Sequence, residues 1–278
     1  MRVAITLAVT LIASTSAFSQ SRDALWSACQ NGTPAEVIDA CTRLAETAGE
    51  APENRAIALF NRANIQRGAG KFDPALNDYS DALSLRPDFQ QALANRATIW
   101  LQKSDLPKAL ADLDAALKLN PRDAIALRTR AIVRIRQEEP ARALPDLAAA
   151  IEANPRYASA YQTRCAMLAT GVAGQPDGAA ALADCDTALK LAPQSVDVLR
   201  SRGLALLRLA RAVEAATSFA QAVRLNPRDA VALYGHAVAL QQSGGDPGRA
   251  ADAARVASEI EPSVAQRYQS WGLAAVQR

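Results

Sequence analysis

The chain has 278 residues, 50% of them hydrophobic and 5% aromatic, with 31 basic and 28 acidic side chains and a formal charge of +3. Such a chain can bury a substantial core. Its small charge, spread along the sequence, excludes the basic stripe by which proteins hold nucleic acid. Alanine recurs throughout, and it loses less than any other residue on entering a helix, so an all-α fold is expected.

The first residues read as an export signal. Arg2 gives a positive end, Val3 to Ala13 an apolar stretch, and Ser14 to Ser19 a small-residue region. The apolar stretch is shorter than the ~20 residues of a bilayer span. Residues 1–19 are therefore assigned as a signal peptide cleaved after Ser19, with Ala17 the next choice, leaving a periplasmic or secreted protein without stable membrane insertion. A retained anchor is the alternative. Residues 20–55 follow as a truncated unit. A short helix around Leu25, Trp26 and Cys29 leads through Asn31-Gly32-Thr33-Pro34 to a second helix carrying Val37, Ile38, Cys41 and Leu44, with Thr33 as N-cap.

A repeat then sets in. Pro87, Pro121, Pro155, Pro193, Pro227 and Pro262 are spaced by 34, 34, 38, 34 and 35 residues. Twelve residues before them stand Ala75, Ala109, Ala143, Ala181, Ala215 and Ala250; five before them stand Ala82, Ala116, Ala150, Ala188, Ala222 and Ala257. Eight before come Tyr79, Leu113, Leu147, Cys185 and Phe219, with Ala254 the exception. Slots three and four apart make one helix face. The upstream halves carry Leu59, Leu93, Leu127, Tyr161, Leu199 and Leu233, each followed four residues later by a small residue or cysteine. Turn signals such as Gly68-Ala69-Gly70 separate the halves, and each proline ends the second helix. The units run 56–89, 90–123, 124–157, 158–195, 196–229 and 230–262, and 263–278 reads as a capping helix with Val264, Tyr268, Trp271 and Val276.

These slots resemble the tetratricopeptide repeat, whose Trp, Leu-Gly, Tyr, Ala, Phe, Ala and Pro recur over 34 residues. The Ala and Pro positions carry the likeness over Ala56 to Ser263, while Leu or Tyr replaces the usual first Trp. The resemblance implies a right-handed superhelical solenoid of helical hairpins between an N-terminal half-repeat and a C-terminal cap. It also implies that the first helices line a concave groove for a peptide or partner helix. Mapped onto this chain, the lining is Phe60, Asn64, Arg67, Gln91, Asn95, Thr98, Arg128, Ile132, Gln162, Arg200, Leu204 and Tyr234. Some relatives clamp a terminal carboxylate there; Asn64 and Asn95 match that clamp, but Phe60, Ile125 and Thr129 replace its cations. Arg67, Arg128 and Arg200 would favour an acidic segment.

Arg62, Arg96, Arg130, Arg164 and Arg202 share one slot of the repeat, and Asp78, Asp112, Asp146 and Asp184 another. An Arg/Asp ladder between helices is expected, with partners in the same repeat or in successive ones. Four cysteines in an exported chain predict two disulfides, for which three connectivities exist. Cys29 and Cys165 lie in first helices and Cys41 and Cys185 in the second helices of the same units, so Cys29–Cys41 and Cys165–Cys185 are expected. Cross-pairing would span several repeats, beyond the ~7 Å Cα limit.

The only histidine, His236, falls in the arginine slot of the last repeat. No H-E-x-x-H, G-x-S-x-G, phosphate-binding loop or dinucleotide turn occurs. No catalytic residue, metal or cofactor is assigned. The expected function is a non-catalytic scaffold or assembly factor of the bacterial envelope that binds another protein or a peptide. A self-associating homo-oligomer and an accessory enzyme subunit are the alternatives. The stretch 171–178, which holds the four extra residues of the 38-residue spacing, reads as a tolerated surface loop, with a lengthened binding loop as the alternative.

Overall fold

A computed structural model describes residues 21–172, 174 and 176–273. The predicted export segment lies outside these residues, as does Val276. The described residues contain fifteen helices and no strand. They divide into two compact units, one up to Pro121 and one from Arg122.

The first unit holds α1 (21–31), α2 (Pro34–Glu46), α3 (Pro52–Gly68), α4 (Phe72–Leu85), α5 (Gln90–Gln102) and α6 (Leu106–Leu119). Pro34 opens α2, where its missing N–H costs nothing, and Thr33 donates from both its backbone N–H and Oγ1 to the Glu36 carboxylate at 2.8 Å. The repeat alanines 56, 63, 75, 82, 92, 97, 109 and 116 have no exposed surface. Their lack of bulk brings backbones together while Leu59, Tyr79, Leu93 and Leu113 fill the space between.

The second unit holds α7 (Ala124–Arg136), α8 (Pro140–Ala153), α9 (Ala158–Thr170), α10 (Gly178–Leu191), α11 (Val196–Arg208), α12 (Ala212–Leu225), α13 (Ala230–Gln242), α14 (Pro247–Ile260) and α15 (Val264–Ser270). Each helix packs on the next, and the first helices of successive pairs also meet, α9 on α11 and α11 on α13. Asp123, Asp177, Ser195, Asp229 and Asp246 accept from backbone N–H groups at the starts of α7, α10, α11, α13 and α14. The closing helix is shorter than expected. It ends at Ser270, and Trp271 stands in the turn after it.

One backbone feature recurs inside the pairs. The turn from first to second helix passes through the left-handed region at Gly70, Ser104, Glu138, Ala210 and Gly244, with φ between 55° and 72°. Three of the five are not glycine, so this geometry is imposed by helix packing against a local cost.

Cys29 is bonded to Cys41 across α1 and α2, with Cα atoms 5.0 Å apart, and Cys165 to Cys185 across α9 and α10, at 5.4 Å. The two loops close 12 and 20 residues. In the chain-entropy account each bridge stabilises by about 3 kcal/mol, and because loop length enters logarithmically the two differ by only about 0.5 kcal/mol. Replacing either pair by serine is therefore expected to lower the urea midpoint to nearly the same extent. A much larger loss at one pair would show that packing, not loop closure, dominates there.

Candidate functional site

The ladder accounts for most of the buried charge. Arg62 donates through Nε and Nη2 to Asp78 at 2.7 and 2.6 Å, Arg96 to Asp112 at 2.8 and 2.7 Å, Arg130 to Asp146 at 3.0 and 2.7 Å, and Arg164 to Asp184 at 2.7 and 2.8 Å. Each pair joins the two helices of one repeat in a planar, bidentate contact suited to a guanidinium. The remaining nitrogen of Arg62 and of Arg96 reaches back one helix pair, to Thr42 Oγ1 and Ser80 Oγ. Arg202 shows what happens when the acid is lost. Ser218 replaces the aspartate, accepting from Nη1 at 2.8 Å, and Nε turns to Asp186 of the preceding pair at 2.6 Å. The ladder thus uses same-repeat partners first and the preceding repeat second. These charges are committed to structure.

On the first-helix face of the first unit, Phe60, Asn64, Arg67 and Asn95 come together. Asn64 Oδ1 accepts from the Tyr79 hydroxyl at 2.5 Å and from Asn95 Nδ2 at 2.8 Å. Burial raises the Tyr79 phenol above its ordinary pKa, while neighbouring Arg67 opposes that shift. Phe60 packs on Phe89 at 4.7 Å and on Tyr79 at 6.0 Å, with the Arg86 guanidinium 4.5 Å above the Phe89 ring. Gln91 is exposed, and Thr98 turns inward to donate to its own helix at Ala94 O. Tyr79 is the participant missing from the sequence-derived lining, because its slot in the repeat reads as core.

In the second unit a cavity of about 450 Å³ opens between the first helices. Ile135 of α7, Gln162, Thr163, Ala166, Met167 and Thr170 of α9, and Asp197, Arg200 and Ser201 of α11 form its walls, and Val172 and Trp271 edge it. Gln162 and Arg200 were expected here. Ile132 stands half-buried on α7. Two other expectations are corrected: Leu204 and Tyr234 are core residues, 2% and 4% exposed. Tyr234 packs on Tyr268 of α15, their ring centroids 5.0 Å apart, so the closing helix covers the position that an open groove would expose.

The arginines of this face are also less free than the sequence suggests. Arg200 donates to Asp229 at 2.9 Å and to Asp197 at 2.7 Å. Arg128 Nε donates to Ser159 O at 3.0 Å and Thr163 Oγ1 at 3.2 Å, tying α7 to α9. Arg200 is thus neutralised by carboxylates, whereas Arg128 is oriented by neutral acceptors and keeps its charge. Arg208 donates to the carbonyls of Ala169, Thr170 and Trp271, so it caps the end of α9 and fixes the chain after α15 in one contact set; its burial lowers its pKa. The sequence gives no sign of this residue, since nothing in the repeat marks a contact to a segment beyond it.

No group of three or more His, Cys, Asp and Glu side chains among the described residues is placed to hold a metal ion. His236 is half-buried on α13, its pKa lowered first by burial and then by Arg249. None of the helices of the described residues is long and apolar enough to cross a membrane.

Helix pairs in a 34-residue register, alanine seams and an intra-repeat ladder define the architecture, and comparison with known families assigns it. Two models described as tetratricopeptide repeat match, one over residues 96–167 and the other over 60–124 and again over 167–230. The chain belongs to the tetratricopeptide repeat family. Repeats of this family are protein-interaction modules. No curated protein matches the chain in sequence. Among solved structures, a tetratricopeptide repeat protein from Parabacteroides merdae is similar at 18% identity with a TM-score of 0.60, covering 91% of this chain and 99% of its own. The Pseudomonas aeruginosa PilF protein is similar at 16% identity with a TM-score of 0.66, covering 80% and 99%. The Cut9–Hcn1 hetero-tetramer of APC/C matches at 14% identity and 0.64, over 89% of this chain and 47% of that one. At these identities the likeness is one of fold.

Proposed function

We propose that this tetratricopeptide repeat protein is a non-catalytic scaffold or assembly factor exported to the bacterial envelope, and that it holds a segment of a partner protein on the first-helix face of α7, α9 and α11. The cavity bounded by Gln162, Met167, Asp197 and Trp271 carries this reading. It lies where successive first helices converge, and it mixes apolar walls with a few placed polar groups, as binding sites do. The amino-terminal apolar stretch and the two disulfides support export, since disulfides persist in oxidising compartments. The Cut9–Hcn1 structure is an instance of the same fold within a hetero-oligomer.

The test is capture from a periplasmic extract on the mature chain and on Ala166→Arg, which places a long side chain across the cavity; circular dichroism verifies that the variant is folded. A protein retained by the wild type and lost, or weakened about tenfold or more, by the variant is the expected result. Equal retention by both would move binding to another face.

A further inference from the structure

The cavity has a chemistry of its own, built partly by elements outside the regular repeat. Val172 belongs to the insertion that lengthens one turn, and its side chain is 49% exposed at the cavity edge. Trp271 comes from the segment after α15 and is held in place because its carbonyl accepts from Arg208. With Ile135, Ala166 and Met167 they make an apolar lining along one side. A thioether beside aromatic and branched aliphatic groups adapts to the shape of an entering side chain. The charged groups of the lining are Arg200 and Asp197. Arg200 is shared between two carboxylates, Asp197 and the 5%-exposed Asp229 behind it, so Asp197 keeps acceptor capacity toward solvent. Asp197 is the exposed member, at 58%, with Gln162 Nε2 donating to it at 3.4 Å. Arg128 and Arg208 keep their charges but are held by Ser159 O and Thr163 Oγ1 and by the carbonyls of Ala169, Thr170 and Trp271, which leaves Asp197 as the exposed charged acceptor of the lining.

We infer that the cavity takes a large apolar side chain of the partner segment, with a lysine or arginine next to it in that segment paired to Asp197. This rests on the scaffold reading above and narrows it to one class of partner. Buried apolar anchors carry most of the affinity at such interfaces, and a partly exposed ion pair at the rim adds selectivity more than strength.

The probe is an oriented library of N-acetylated, C-amidated peptides, so that no terminal carboxylate is offered, applied to the disulfide-intact mature chain and to Val172→Asp, Trp271→Ala and Asp197→Asn. The wild type is expected to select Leu, Met, Phe or Trp at one position with Lys or Arg beside it. Val172→Asp and Trp271→Ala should each weaken the best peptide by roughly tenfold or more, and Asp197→Asn should remove the basic preference while keeping the anchor. Val172 sits in an exposed turn, so its substitution tests the anchor even if Trp271→Ala loosens the cap. Selection of acidic peptides, or unchanged selection by Val172→Asp, overturns the inference. If no peptide is selected while a captured protein is still lost on Ala166→Arg, the inference falls and the scaffold reading stands; if capture is also empty, both fall. Dimerisation by light scattering that Val172→Asp abolishes would assign the cavity to a second copy of the chain and overturn the inference as well.

Discussion

Replacing Asp146 by alanine is expected to lower the unfolding free energy by about 3–5 kcal/mol. Its carboxylate is 5% exposed and accepts from Arg130 twice, at 3.0 and 2.7 Å, and from Arg134 Nη1 at 2.7 Å. Alanine would take a shared carboxylate away from two guanidinium groups that are only 19% and 15% exposed. Taking away one partner of a buried pair costs far more than the pair contributes net, because the remaining charge stays desolvated. The control is Asp186→Ala. Asp186 pairs with Arg202 but is 43% exposed, so water replaces it and the loss should be at most about 1 kcal/mol. Urea unfolding followed by circular dichroism measures both. Equal losses would mean that the ladder acts through packing of the arginine stems rather than through charge.

The second large effect lies under the closing helix. Tyr268 is wholly buried, its hydroxyl donating to Val231 O at 2.7 Å, and its ring sits beside Tyr234 and Trp271, with centroids at 5.0 and 5.4 Å. Burial holds its phenol well above the ordinary tyrosine pKa. The space exists because residue 235 is glycine: a Cβ there would run into Tyr268 Oη and the Phe219 ring. Gly203 plays the same part on α11, where a Cβ would lie 2.6 Å from Phe219 Cζ. Phe219 is the bulkiest apolar residue of its slot without a polar end, and two glycines make room for it. Tyr268→Ala should cost about 3–5 kcal/mol through the cavity it leaves. Gly235→Ala should cost about 1–3 kcal/mol by overpacking, and should change Trp271 fluorescence as α15 is pushed away. Gly203→Ala combined with Phe219→Leu should recover part of the loss of Gly203→Ala alone, since the two positions share one space. Additive losses in that pair would contradict the account of the glycines.

Legibility follows from where the information resides. The helix pairs are readable because each repeat restates the same slots: Ala75, Ala109 and Ala143 name the seam three times before any contact is known. The ladder is readable for the same reason, but its connectivity is not, since Arg62 could reach Asp78 or a neighbour on spacing alone. Leu204 and Tyr234 were misplaced because a groove slot carried from one repeat to the next assumes unchanged neighbours. At this end of the chain Phe219 and Tyr268 press against the first helices and turn that surface into core. Arg200 and Arg128 looked available because their partners Asp229 and Ser159 lie about one repeat away, at separations of 29 and 31 residues. Val172 and Trp271 obey no repeat register: the 38-residue spacing marks the insertion that holds Val172, but no slot of the repeat marks the edge the two residues form together.

The central claim is that a partner lies on the first helices of the second unit. Hydrogen exchange of the chain, free and with its captured partner, tests it most directly, because exchange reports local opening helix by helix. Binding is expected to slow exchange in α9 and α11 and at residues 171–172, with little change in α8, α10 and α12. Protection confined to those second helices, with α9 and α11 unaltered, would contradict it.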